Sequence, residues 1–246
     1  MKNILITGGL GHIGSRLCEY LLNNNFKIIC LDNFMTQRYS SLKGLIKNVN
    51  FSFHEIDVAI DPKSLINVIE SNNCDIIIHL AAKTNAVASF ENKEELMNNN
   101  FNSTKYIVDI CQTNGIRLIY PSSTSVYGSA DKVVDETNKD HLNPQSPYAE
   151  SKILEEDYII KNLNQNYYIL RLGTIFGVSN GMRFHTAVNK FCYQAVMGLP
   201  ITVWETAIDQ YRPYLEILDA CRAIEFFIKN DKEHGVYNIN SFNLTV

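Results

Sequence analysis

A doubly wound, parallel α/β sheet is the fold this sequence predicts. Short apolar runs of β type alternate with longer amphipathic stretches. The first run ends in a glycine cluster that opens a helix, and an acidic residue closes the second. Strands buried on both faces read as near-continuous apolar runs, and right-handed crossovers place helices on each face of such a sheet.

Lys2–Thr7 reads as the first strand. Ile13–Asn24 follows with Ile13, Leu17, Leu21 and Leu22 at helical spacing. Phe26–Leu31 and Phe51–Ile56 are the next strands, and Ser64–Glu70 is helical. Cys74–Leu80 (CDIIIHL) is almost wholly apolar, as a central strand requires. A long helix covers Glu94–Gln112, and Ile116–Tyr120 makes the fifth strand. Pro147 heads a helix running to Asn162, because its fixed φ and missing N–H suit a first turn. Tyr167–Leu172 is the sixth strand. Beyond Gly173 the pattern loosens into a loop, a helix at Val188–Met197, a strand at Ile201–Trp204 and a helix at Leu218–Ile228.

The composition is that of a globular chain, with 46% hydrophobic and 20% charged residues in 246. A net charge of -4 makes no electrostatic case for a nucleic-acid or membrane partner. No apolar run approaches membrane-spanning length. Six scattered cysteines without a C-x-x-C pair read as buried thiols in a reducing compartment, not as a disulfide frame or a metal site. With a strand starting at once and no signal peptide expected, a cytoplasmic location follows.

TGGLGHIG lies between the first strand and the first helix. Gly9, Gly11 and Gly14 match G-x-G-x-x-G, and Gly8, Gly11 and Gly14 match G-x-x-G-x-x-G. Glycine is needed there for a tight turn, for backbone approach to a pyrophosphate and for close helix–strand packing, while the helix N-terminus offers free N–H groups. Asp32 ends the second strand at the spacing of a ribose-binding acid. Its carboxylate would accept from both ribose hydroxyls and repel a 2′-phosphate, favouring NAD over NADP. Arg38 nearby keeps the phosphorylated cofactor open. The combination predicts a Rossmann fold.

In SPYAESK, Tyr148 and Lys152 stand four apart on one helix face. A phenol is too weakly acidic in water to serve as a base at neutral pH, and a neighbouring ammonium favours the phenolate. The pair alone is weak evidence, and following a dinucleotide loop it becomes specific. PSSTSVYG, Pro121–Gly128, adds five hydroxyl side chains just after an apolar strand.

These residues resemble the extended short-chain dehydrogenase/reductases, in their NAD-dependent sugar epimerase/dehydratase branch. The likeness also rests on LDN at the end of the second strand, HLAA at His79–Ala82, Asn100, RLGTIFG at Arg171–Gly177, and MRFHTAVNKF … YRPYLEILDACRAI. It implies that Gly8, Gly11 and Gly14, with His12 and Ile13 between them, hold the pyrophosphate. Asp32 and Asn33 would take the adenosine end, Asp57 and Val58 would approach the adenine, and Leu80, Ala81, Ala82 and Asn100 would complete the cofactor path. Tyr148 would be the catalytic base, with Lys152 favouring its phenolate and bonding the nicotinamide ribose. Ser123, four residues before the Tyr of V-Y-G, would bond the substrate oxygen. Thr124, Thr174, Arg183, Asn189 and Arg212 would bind substrate.

The resemblance implies a domain over residues 1–173 with returning segments near 205–240, and a small, incomplete C-terminal substrate lobe from 174–204 and 241–246. Relatives usually continue beyond this point, so an open cleft is expected. Dehydratases of the branch carry an Asp-Glu pair where this chain has Thr124 and Ser125. Neither hydroxyl is an effective acid or base near neutral pH. Reversible oxidation of a sugar hydroxyl then remains, and a nucleotide-sugar epimerase is the expected activity. A reductase or dehydrogenase with net cofactor turnover, or a non-catalytic NAD-binding sensor, is the alternative. Pro213, Glu216 and Thr174 depart from frequent family residues and bear on the substrate. Pairing through the Glu94–Gln112 and Tyr148–Asn162 helices implies a homodimer.

Overall fold

The computed structural model describes residues 1–86, 88–129, 133–184, 186–203, 205 and 208–245. Strands β1 (Asn3–Thr7), β2 (Lys27–Asp32), β3 (Phe51–Glu55), β4 (Ile76–His79), β5 (Arg117–Ser123), β6 (Tyr167–Leu172) and β9 (Gly235–Ile239) form a seven-stranded sheet in the order β3-β2-β1-β4-β5-β6-β9. Its strand pairs are parallel throughout. Helices α1 (His12–Asn23), α2 (Pro62–Asn72), α3 (Lys93–Asn114), α4 (Pro147–Leu163) and α6 (Ile217–Lys229) connect and cover it. The doubly wound class predicted from the alternation is therefore the class observed. A second sheet joins β7 (Thr174–Phe176), β8 (Arg212–Glu216) and β10 (Phe242–Leu244) in the order β10-β8-β7, next to α5 (Ala187–Val196).

Alternation along β1 splits the core. Ile4 and Ile6 point toward Leu17, Leu21 and Phe227 of α1 and α6, while Leu5 points toward Leu65, Ile107 and Ile159 of α2, α3 and α4. Strand order reverses between β1 and β4, so the crevice at their C-terminal ends is the topological switch point where doubly wound folds bind ligands. Local chemistry places α4 at its rim. Ser146 accepts from the Ala149 N–H at 3.2 Å as the N-cap, and Pro147 occupies the first turn.

The hydroxyl-rich stretch begins as strand, not turn. β5 runs three residues past its expected end, to Ser123. Its ladder to β4 stops at Ile119, and beyond that β5 pairs only with β6, so Pro121 is accommodated. The expected strand at Ile201–Trp204 does not form over Ile201–Val203, and Trp204 lies outside the described residues. Ile201 and Val203 are exposed, with no neighbouring strand among the described residues to pair with. β7 and β8 were not anticipated, being short segments of mixed polarity. β8 falls within the returning stretch near 205–240 yet pairs in the small sheet. Cys192 is exposed, unlike the other five cysteines, which are buried. Among the described residues no helix is long and apolar enough to cross a membrane.

One buried ionic network ties the C-terminal half together. Arg171 on β6 pairs with Glu156 on α4 at 2.6 Å, both nearly inaccessible. Arg171 also donates to Tyr127 Oη at 2.8 Å, and Tyr127 donates to Asn238 on β9 at 2.7 Å. Removing one partner of such a pair strands the other charge in a medium that cannot solvate it. Glu156→Ala is expected to lower unfolding free energy by about 3–5 kcal/mol, read from urea denaturation midpoints.

Candidate active site

A cavity of about 630 Å³ opens at the switch point. Its floor is the glycine loop. Gly8 has φ +66, and a Cβ there would come within 2.7 Å of the Ala81 backbone N. Only glycine lets the end of β1 lie against the chain leaving β4. At Gly14 a Cβ would meet Gly8 O at 2.4 Å, so helix–loop packing demands glycine there as well. Gly11 is different. A Cβ on it would meet only Gly8 O, at 3.2 Å, and otherwise open space toward the cavity. Protein packing presses less on that glycine than on Gly8 or Gly14, and it leaves bare backbone on the cavity floor.

At one end of the cavity Asp32 accepts from the N–H groups of Leu10 (3.1 Å) and Phe34 (2.9 Å). Burial pushes the Asp32 carboxyl above its ordinary range, opposed by those backbone donors and by Arg38. Asn33 donates to Asp57 at 2.8 Å, and Asp57 accepts from the Ala59 N–H at 2.9 Å, which organises the neighbouring wall. His12, Ile13, Val58, Leu80, Ala81 and Ala82 also line the cavity.

At the other end are Ser123, Tyr148, Lys152 and Thr174. Ser123 closes β5 and caps a 3₁₀ turn over Thr124–Tyr127, its Oγ accepting from the Ser125 N–H at 3.1 Å. Lys152 Nζ is 5.8 Å from the Tyr148 ring centroid. Beneath them His79 shares a 2.7 Å hydrogen bond with Thr7, and burial, reinforced by the Lys152 ammonium, pushes its imidazole down to about 3. It is a packed, neutral residue behind the site.

Three residues expected in contact with ligand stand elsewhere. Asn100 is fully buried, accepting from the Lys83 N–H (2.8 Å) and donating to Lys83 O (3.0 Å). The mid-helix amide braces the loop after β4 from behind the cavity wall. Asn189 likewise accepts from the Gly177 N–H and donates to Arg183 O, closing the loop between β7 and α5. Thr124 donates to Leu172 O at 3.3 Å. None of the three lines the cavity. Each of these side chains instead satisfies a backbone group of the protein.

That same loop straps the glycine cluster. Gly181 N–H donates to Ser15 Oγ at 3.0 Å, Ser179 Oγ pairs with His12 Nδ1 at 2.8 Å, and Arg38 donates to Gly181 O. A Cβ on Gly181 would meet Gly11 O at 2.4 Å. Ser15, Arg38 and Gly181 were not read as one unit in the sequence, where 166 residues separate Ser15 from Gly181. The Gly before Met182 and Arg183 was the available signal. Arg183 donates to Thr84, and burial followed by the nearby Arg38 opposes its charge. Arg212 reaches the cavity from β8, donating to Gln210 at 2.9 Å.

Sheet, switch point and glycine loop together define a dinucleotide-binding, Rossmann-like protein with acid–base side chains in its crevice. The chain belongs to the NAD-dependent epimerase/dehydratase family, whose model matches residues 4–240. It is 31% identical to a dTDP-D-glucose 4,6-dehydratase of Dictyostelium discoideum over 98% of its own length, and spans only 58% of that protein. Among solved structures it resembles a UDP-glucuronic acid 4-epimerase from Bacillus cereus in complex with UDP-glucuronic acid and NAD. That match has a TM-score of 0.88, with 26% identity over 99% of this chain and 79% of the other. A UDP-N-acetylglucosamine 4-epimerase from Methanobrevibacter ruminantium aligns with a TM-score of 0.87 and 25% identity, covering 99% and 78% of the two chains.

Two consequences can be measured. Gly181→Ala should lower the thermal midpoint and speed proteolysis within residues 178–184, because the added methyl pushes the strap off the glycine loop. Folded His79 takes up a proton only near pH 3, against 6.5 for a free imidazole. The unfolded chain therefore binds the extra proton between those values, and stability is lost as pH falls from 6.5 toward 3. Denaturation curves of His79→Gln should show a shallower loss over that window than the parent protein.

Proposed function

We propose that this protein is an NAD-dependent nucleotide-sugar epimerase that oxidises a sugar hydroxyl transiently and restores it with inverted configuration. One observation carries the reading. Ser123, Tyr148 and Lys152 line the same cavity as the glycine loop and Asp32, while positions 124 and 125 hold hydroxyls instead of carboxylates. The cofactor fits the residues present, since Gly11 leaves bare backbone on the cavity floor. Gly8, Gly11, His12, Ile13 and Gly14 would hold its pyrophosphate. Asp32 and Asn33 would take the adenosine ribose, with Asp57, Val58, Leu80, Ala81 and Ala82 along its length. When bound, NAD supplies the reversible oxidation of a sugar carbon.

The chain's own part is acid–base and positional. Tyr148 accepts the proton of the sugar hydroxyl and later returns it. The Lys152 ammonium favours the phenolate that does so. Ser123 Oγ holds the same oxygen and steadies its developing charge. Thr124 and Ser125 lack a group that exchanges protons near neutral pH, so elimination of water has no acid–base pair at that position. Arg183 and Arg212 supply charge for a substrate diphosphate and Thr174 a hydroxyl at the sugar end, with Asn189, Asn100 and Thr124 acting as struts. The outer faces of α3 and α4 would pair two subunits in a homodimer.

Incubation with NAD and a panel of UDP-, GDP-, CDP- and dTDP-sugars, with products read by NMR, tests the activity. An epimeric product without net NADH is expected. A 4-keto-6-deoxy product would overturn the reading in favour of a dehydratase, stoichiometric NADH in favour of a dehydrogenase, and NAD binding without any turnover in favour of a sensor. Tyr148→Phe should retain NAD affinity while turnover falls by about 10²–10⁴-fold; full activity in that variant would remove Tyr148 from the mechanism.

A further inference from the structure

Lys152 is held from behind by a second buried group. Its Nζ donates to Tyr120 Oη at 2.7 Å and to Glu155 Oε2 at 3.2 Å. The Tyr120 hydroxyl donates onward to that carboxylate oxygen, and Thr104 of α3 donates to it at 3.0 Å. Tyr120 and Glu155 are 0% and 1% exposed, and Lys152 is 3% exposed. Glu155 Oε1 makes no hydrogen bond among the described residues.

This arrangement orients the ammonium. An ammonium has three N–H bonds, and two are committed on the side away from the cavity. The third is left for the face shared with Tyr148. Glu155 stands three residues after Lys152, so the pair lies within one turn of α4. A buried lysine without a counter-charge gives up its proton readily, and the adjacent carboxylate opposes that loss.

We propose that Glu155, acting partly through Tyr120, is a positioning residue that keeps Lys152 charged and directed at Tyr148, and that its charge sets the pH range in which the Tyr148–Lys152 pair works. The proposal rests on the reading of Tyr148 and Lys152 given above. The other ionisable groups facing this cluster are His79 from β4, Tyr120 from β5, Glu156 and Tyr148 from α4, and Arg183 from the loop after β7. From α3 the described contact is the neutral Thr104. Among the described residues, Glu155 is the one carboxylate that bonds Lys152.

Glu155→Gln keeps the volume and one acceptor oxygen while removing the charge. Lys152 then loses its counter-charge, so the alkaline limb of the pH–rate profile should move to lower pH by about one unit. At the parent optimum kcat should fall about tenfold with KM changed less than about twofold, as expected for an interaction made in the transition state. Calorimetric NAD binding from pH 6 to pH 10 supplies a readout that does not depend on turnover. The alkaline loss of affinity, where Lys152 stops donating to the ribose, should begin about one pH unit earlier in the variant. Tyr120→Phe keeps the charge and the packing but removes the bridge, and should lower kcat about threefold or more without moving that limb.

A pH profile and NAD-binding limb unchanged in Glu155→Gln would reduce Glu155 to a packing role and overturn the proposal. If Glu155→Gln fails to fold, unchanged kcat in Tyr120→Phe overturns it. If the parent protein turns over none of the sugars, the epimerase reading fails. The NAD-binding limb then still decides the role of Glu155.

Discussion

The structure depends on a contact that only a missing side chain permits. At Gly8 the end of β1 lies against the Leu80–Ala81 backbone so closely that a Cβ would fall 2.7 Å from Ala81 N. That approach brings the two strands flanking the switch point to a common edge and opens the cavity above them. Gly14 lets α1 close on the same loop, and Gly181 lets the strap cross it. Two glycines of one loop and a third far along the chain thus answer to one packing problem. Gly11, within the same motif, answers to the space above it.

A second constraint is electrostatic. In and beneath the crevice, three charged side chains are held by partners that are themselves fixed. Asp32 is anchored by two backbone N–H groups, Lys152 by Tyr120 and Glu155, and Arg171 by Glu156 and Tyr127. Arg183 lies among these without a carboxylate partner among the described contacts, beside Arg38. An interior organised this way cannot relax around a misplaced charge, so the groups stay aimed when a ligand arrives.

Much of the fold was legible because its signals are local. CDIIIHL, the glycine cluster and Ser146-Pro147 each specify their element within a few residues, and β1 to β6 and α1 to α4 appear where periodicity placed them. The C-terminal third was less legible. β7, β8 and β10 are three to five residues long and gain their identity only from one another. The apolar run at Ile201–Val203 has the composition of a strand but pairs with none among the described residues. Asn100 and Asn189 show the same limit within the site, since a polar residue in a functional motif can serve the loop backbone instead of the ligand.

By itself the sequence determined the class of sheet, the glycine loop with Asp32 at its proper distance, and the helical pairing of Tyr148 with Lys152, because each is set by spacing along the chain. Tertiary structure alone decided what surrounds them. It drew Gly181 onto Gly11, turned Asn100 toward Lys83, and brought Tyr120 of β5, Thr104 of α3 and Glu155 of α4 together around one ammonium. Those contacts join residues 17 to 170 positions apart, and no local pattern encodes a distance that only the packing of whole elements creates.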